Sequence, residues 1–432
     1  MDPIKSINKF DNIKNDFFLE KLFIYTGKMK CLSIVKYSKK IQKRLNLSLN
    51  DYHEYSKIEI EIKPTKAAYS RQFINIERIS EEPFYHIFFN KNNEEIKRDY
   101  LIGNEKVDNI RVIIDYQIKS LKGLFKSCIC NETIIFKKFY RNNINDMSEM
   151  FSDCCLLKEL NLTNFNTKNV VDMNNMFSFC SSLKKLDLSN FNTKNVINMK
   201  WMFLSCSSIT EINLSSFNTD KVTDMSSMFG KCVLLKELNL SNFNTNNVTD
   251  MSYMFFMCSD LKELNISNFS DNNLFKMNGM FSDCSSLEKI DLSKFNSNKI
   301  TDMSELFSMC YKLKELDISN FNTDNVINMS FMFLDCSSLE KLNLSHFNTN
   351  NVTNMRSMFS DCSSLKKLDL ANFDTNNVTD MSHMFSSCSS LEELNFNFSD
   401  IADISGMFNE CKEELKVKVR TKFPNLRNEA FI

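Results

Sequence analysis

The sequence predicts a curved α/β solenoid, and three observations carry that expectation. Cysteine recurs at a fixed step: Cys128, Cys154, Cys180, Cys206, Cys232, Cys258, Cys284, Cys310, Cys336, Cys362 and Cys388 are each 26 residues apart, and Cys411 follows after 23. Phe151, Phe177, Phe203 and Phe229, continuing to Phe385, keep the same step, as do Leu160, Leu186, Ile212 and Leu238. The 432-residue chain holds only 6 Gly and 4 Pro, so its bends must come from Asn, Asp, Ser and Thr. Self-similarity at such a period marks stacked units, none of which can bury its apolar face alone.

One unit runs from Met225 to Asp250, MSSMFGKCVLLKELNLSNFNTNNVTD. Met225, Met228, Phe229 and Cys232 stand at i, i+3, i+4 and i+7, which predicts one apolar face of a short helix, with Thr223 or Asp224 as its N-cap. Leu235, Leu238 and Leu240 form LxxLxL, whose last two leucines alternate as in a strand. Phe243 closes the core, FNTNN supplies a turn, and Val248 packs before the next helix. Strands in a parallel sheet lie about 4.7–4.9 Å apart, whereas packed helices want about 8–10 Å. Strands on one side and helices on the other therefore predict a concave parallel sheet and convex helices.

The flanks complete the organisation. Residues 1–56 read as a helical N-terminal region, and 57–118 as a β-rich cap with strands at 57–64, 83–90 and 109–118, the last capping the first coil. Residues 119–411 hold about eleven 26-residue units, the first degenerate, with Leu121, Leu124, Phe125, Cys128, Ile134, Phe136 and Phe139 in phase. In 412–432, Leu415, Val417 and Val419 alternate and predict a closing strand followed by a tail.

The consensus MSxMFxxCSSLKxLDLSNFNTxNVTD resembles the BspA-type leucine-rich repeat of bacterial and protist surface proteins over roughly residues 141–411. The resemblance implies secreted adhesion proteins and transfers no catalytic residue. This chain departs from that pattern in its polar N-terminus, where Asp2, Asp11 and Asp16 interrupt any leader-like apolar run. No apolar stretch approaches the length that spans a bilayer, so membrane insertion is not expected. The expected location is cytoplasmic, with the cell surface as the alternative. Asn161, Asn213, Asn239, Asn265 and Asn343 each begin an N-[LI]-[ST] sequon inside a strand, where glycans would crowd the sheet.

Catalytic and metal chemistry are not expected. A 26-residue cysteine step offers no close pair for zinc, and helices about 8–10 Å apart would hold successive cysteines beyond the reach of a disulfide. The expectation is a ladder of buried, reduced thiols. His53, His86, His346 and His383 do not cluster, no phosphate-binding or nucleophile motif is present, and no cofactor is expected. The formal net charge of −1 divides into about +8 for residues 1–140 and −9 for the remainder. An acidic repeat region argues against nucleic acid as its partner.

What remains is a non-enzymatic protein-binding or scaffolding role, with two candidate surfaces. On the outer face Trp201, Leu204, Tyr253, Phe256 and Phe331 stand at or beside outward positions, a set suited to a protein partner or a second copy of the chain. On the strand face, Glu211, Glu237 and Glu263 lie in one outward column and Asn213, Asn239 and Asn265 in the next. Those two columns together carry four Lys against six Glu and four Asp. A third alternative is a ubiquitin-ligase adaptor: Leu22, Phe23 and Tyr25, then Cys31 to Lys36, faintly resemble an F-box but lack its Pro and Trp.

Overall fold

The computed structural model describes residues 13–26, 32, 35, 38–66, 72–76, 79–103, 105–295, 297–397 and 402–432. The N-terminal region holds helices α1 (Asp16–Thr26), α2 (Lys39–Arg44) and α3 (Leu49–Ser56). Ser38 caps α2 by accepting the Ile41 N–H, and Ser48 and Asp51 form a reciprocal capping box at α3. Leu19, Val35 and Ile41 pack into a small cluster of their own. Of the F-box-like residues, Cys31 and most of the segment to Lys36, together with the side chains of Leu22, Phe23 and Tyr25, lie outside the described residues.

Strands β1 (Ile58–Pro64), β2 (Tyr85–Phe89), β3 (Glu95–Ile96), β4 (Ile110–Ile114) and β5 (Asn131–Lys138) make an antiparallel sheet in the order β3-β2-β4-β1-β5. Period-2 burial puts Ile58, Ile60 and Ile62 on one face with Ile110, Val112, Ile114, Tyr85, Ile87 and Phe89. The expected strands at 57–64, 83–90 and 109–118 are present, but the one that caps the first coil differs. β4 pairs with β1 and β2, and β1 lies against β5, the strand of the degenerate first unit. β5 then pairs in parallel with β6 (Glu159–Asn161), so the antiparallel cap runs edge to edge into the repeat.

Beyond β6 the strand side consists of short parallel pairs: β7 (Lys185–Asp187) with β8 (Glu211–Asn213), β9 (Glu263–Leu264) with β10 (Lys289–Ile290), and β11 (Lys367–Asp369) with β12 (Glu393–Asn395). This corrects the expectation of one continuous sheet, since Leu238 lies in no strand. What is continuous is the opposite side. Single parallel bridges link Ser120, Asp146, Asp172, Asn198, Asp224, Asp250, Lys276, Asp302, Asn328, Asn354, Asp380 and Asp403 in succession.

The expected convex helices are absent: among the described residues, none from 57 to 412 is α-helical. In the unit from Met225, two successive turns are closed by Met228 N–H to Met225 O and Cys232 N–H to Phe229 O, both 3.1 Å. Alternate N–H groups leave the coil. Ser227 donates to Ser252 O at 2.8 Å, and Phe229 to Met254 O at 2.9 Å. Two residues per coil take positive φ, here Ser227 (49°) and Lys231 (59°), and this recurs along the stack. A non-glycine residue in that region costs about 1–2 kcal/mol, offset by inter-coil bonds of about 1 kcal/mol each. The turns still point Met225, Met228, Phe229 and Cys232 inward, all fully buried. Asp224 does not cap a helix: its Oδ1 accepts Ser226 N–H at 2.9 Å and Ser226 Oγ–H at 2.7 Å.

Backbone hydrogen bonds thus link successive coils, and helix-on-helix packing does not set their spacing. Side chains follow the same register. From Phe125 through Phe281 to Phe431 one ring per coil stacks on the next, with centroids 5.5–5.9 Å apart. Buried Thr219 donates to Asn244 O (2.8 Å) and accepts Asn244 N–H (2.7 Å), and Thr193, Thr245, Thr323 and Thr349 repeat the exchange one coil on.

The described ladder cysteines are free and buried, but for a different reason than helix separation. Coils this close fall within disulfide range. The thiols instead lie parallel, and each donates to the carbonyl of the phenylalanine one coil back: Cys232 to Phe203 O at 3.3 Å, Cys258 to Phe229 O at 3.2 Å. Burial pushes the Cys206, Cys258 and Cys336 thiols up to about 12.

The C-terminal strand expectation is also overturned. Residues Glu413–Lys422 form helix α4, in which Leu415 and Val419, one turn apart, are buried while Val417 is exposed. A 3-10 turn, Asn428–Phe431, then closes the ladder. Glu429 O and Ala430 O accept the N–H groups of Gly406 and Phe408, and Phe431 stacks on Phe408.

Three outcomes follow. Phe281→Ala, in mid-ladder, should remove about 3–5 kcal/mol and, because coils contact only neighbours, split urea unfolding into two transitions. Thiols whose folded pKa is raised stabilise fully below their unfolded value, near 8.5, and that stability is lost as pH rises toward 12. The melting temperature should therefore fall between pH 8 and 11, with about 1.4 kcal/mol lost per pH unit for each thiol that ionises on unfolding. Thiol titration of the denatured chain should give the same count with and without reductant.

Candidate functional site

On the strand face the expected acidic column is exposed but partly paired. Glu211 meets Lys185 at 2.7 Å, and Glu393 meets Lys367 at 2.8 Å. Glu237 and Glu263 have no ion pair among the described residues and stand free on the surface. The asparagine column is committed to local structure. Asn213, Asn239 and Asn265 each accept the backbone N–H two residues on, at 3.2, 3.0 and 3.1 Å, which turns the chain out of the strand. These side chains are exposed, but their carbonyl oxygens are already in use.

The strand face acquires a second wall only where α4 returns over it. Leu415 and Val419 pack toward Phe396 and Leu394, enclosing a cleft of about 1130 Å³ with the strand segments of the last coils. Lys341, Lys366, Lys367, Lys418 and Lys422 rim it, opposite Glu340, Glu392, Glu393 and Asp369. Lys412 pairs with Glu392 at 3.3 Å, and Lys418 donates to Glu392 O at 3.1 Å. The sequence reading missed this cleft because it took the segment for a strand. The i, i+4 spacing of Leu415 and Val419, with Glu413 and Glu414 first and Arg420 and Lys422 last, suits a helix and its dipole.

The aromatic set on the opposite side is real but not a free ridge. Trp201 and Tyr253 occupy the first positive-φ column, with Phe331 and His383 further on. Trp201 is 39% exposed, and the Lys200 amine sits 4.5 Å over its ring. Leu204, Tyr253, Phe256 and Phe331 are half-buried. Two glycines beside this set are covered by neighbouring side chains. A Cβ on Gly230 would meet Leu204 Cδ1 at 3.0 Å, and one on Gly279 would meet Tyr253 Cε1 at 2.2 Å. His383 covers Gly406 in the same way. Tyr253 and His383 each reach one coil forward and lie over a glycine. Phe256 meets the Tyr253 ring edge-on at 5.7 Å, and burial with the Glu305 carboxylate pushes the Tyr253 phenol up. Among the described residues no group of three or more His, Cys, Asp or Glu could hold a metal, and no helix is long and apolar enough to cross a membrane.

In-register coils, one-residue bridges and inward apolar columns define a solenoid-like repeat protein. Residues 119–238, 224–341 and 310–419 match the family described as "Mycoplasma protein of unknown function, DUF285". Together they cover well over half of the chain, and the protein belongs to this family. Comparison with curated proteins finds no match. Among solved structures, a chain from the crystal structure of a TLR13–ssRNA13 complex is similar, with 18% identity over 62% of this chain and 39% of that one, and a TM-score of 0.23. The protein spans about two fifths of that chain's length.

The covering role of Tyr253 has a testable consequence. Tyr253→Ser should cost about 1 kcal/mol or more through lost burial, whereas Trp201→Ser should leave thermal stability nearly unchanged. Gly279→Ala, with φ +59° and the tyrosine ring in the way, should destabilise by about 1–2 kcal/mol or more. Differential scanning calorimetry of the three variants checks the order.

Proposed function

We propose that the protein is a non-enzymatic binding or scaffolding repeat and that its protein partner seats a segment in the cleft between α4 and the strand face of the last coils. One observation carries this reading. The cleft joins an apolar floor, with Leu342, Leu394 and Phe396 among its lining residues, to a rim of charges of both signs. A floor that excludes water beneath a polar rim is the usual anatomy of a protein interface. The outer aromatic set is the weaker candidate, because Tyr253 and Leu204 are spent covering neighbouring coils.

The reading is tested by affinity capture with the full chain. Lys341→Glu combined with Lys366→Glu reverses two rim charges and should weaken capture of a given partner at least about tenfold, while Trp201→Ser should not. The opposite pattern assigns the partner to the outer aromatic column. A second reading, a surface adhesion protein, rests on the BspA-type resemblance of the repeat. Protease treatment of intact cells separates the two: release of the repeat region supports the surface, and protection supports an internal scaffold.

A further inference from the structure

A separate cleft of about 370 Å³ lies where the helical region, the antiparallel sheet and the first coils meet. Its lining includes Tyr55, Tyr116, Tyr140, Arg141, Asn143 and Lys168. The tyrosine walls are held in place by ring stacking. Tyr116 lies 4.3 Å from His53 and Tyr140 lies 5.5 Å from Tyr55, each pair near parallel. Asn143 fixes the next turn by donating to Tyr116 O at 3.2 Å.

Arg141 is the unusual member. It is only 5% exposed, yet no ion pair among the described residues holds it. Its Nη1 donates to Asp115 O at 2.6 Å, while Nε and Nη2 are buried without a partner. The Asp115 carboxylate favours the charge electrostatically but makes no ion pair with it, lying 3.3 Å from His86 and 3.8 Å from Lys57. Burial has lowered the guanidinium pKa to about 10, which still leaves it charged at neutral pH. A buried, unpaired charge costs several kcal/mol. Nε–H and Nη2–H lie side by side on one edge of the planar group, the fork that matches the two oxygens of a carboxylate or a phosphate.

We propose that this cleft binds a small oxyanion, a carboxylate or a phosphate, on the Nε–Nη2 edge of Arg141, between the tyrosine walls and with Lys168 at its mouth. The anion supplies the acceptors for Nε–H and Nη2–H that no described residue supplies. Tyrosine walls on either side suit an oxyanion carried on a flat or apolar body.

The full chain is melted at constant ionic strength with chloride replaced stepwise by sodium benzoate or by inorganic phosphate. A saturable rise in melting temperature with at least one of them is expected. A tighter response to benzoate identifies a carboxylate ligand, and a tighter response to phosphate identifies a phosphate. Arg141→Lys keeps the charge but removes the fork, and should weaken the response about tenfold or more. Lys168→Ala, at an exposed position, should leave the anion-free melt unchanged and weaken the response about threefold or more. If Arg141→Lys does not fold, Lys168→Ala decides alone. No saturable response to either anion, or an equal response in wild type and Lys168→Ala, overturns the proposal.

Discussion

The structure depends on one interaction: the backbone hydrogen bond from each coil to the next on the side away from the strands. Strand pairs are short and interrupted, whereas the single-residue bridges from Ser120 to Asp403 and the turn N–H bonds beside them recur along the stack. Making those bonds requires alternate amides to face a neighbouring coil rather than their own. That in turn requires two residues per coil with positive φ. Backbone strain at Ser227 and Lys231, and at their equivalents, is the local cost of satisfying buried amides between coils. Once the coils are locked at that spacing, identical side chains must stack. The phenylalanine, threonine and cysteine ladders are consequences of the backbone register as much as causes of it.

What could be read from the sequence divides along this line. The apolar columns were legible, because burial depends only on which positions recur: Met225, Met228, Phe229, Cys232 and Leu240 are all in the core. The conformation between them was not. An i, i+3, i+4, i+7 pattern suits a helix, but two successive turns point the same four side chains inward. A signal was present in the variable columns. Gly123, Gly279 and Gly406 share one positive-φ column with Asn175, while Asp153, Asp283, Asp335 and Asp361 recur in the other. Gly, Asn and Asp are the residues that tolerate that region best. At the C-terminus the alternation of Leu415, Val417 and Val419 suggested a strand, yet Leu415 and Val419 alone also make a helical stripe, and the flanking charges favour the helix.

The same distinction governs the candidate surfaces. Which columns recur was legible, but the availability of the outward ones was not, since that depends on what the next coil carries. Tyr253 is directed outward and still is not free, because Gly279 gives its ring a seat. Asn213 is exposed and still is occupied, because its carbonyl turns the chain. Both clefts with a distinct chemical character, at α4 and at Arg141, lie where the repeat meets something that is not repeat. Within the repeat Leu204 and Tyr253 fill the space over Gly230 and Gly279, while at its ends unlike elements meet and leave space.

The uniform coil has a consequence for how such a chain can change length. Most interior coils offer their neighbours the same backbone donors and acceptors and similar inward side chains at the same positions, with exceptions such as Asp271 and Ser297 in the threonine column. Removing or duplicating 26 residues between equivalent points therefore rejoins a coil to one like its former neighbour, and the phenylalanine and cysteine ladders close over the joint. The product of such an event would keep both ends, the antiparallel cap and the Phe431 closure, and differ only in the distance between them. The fold is thus a ruler that can be lengthened or shortened in whole steps.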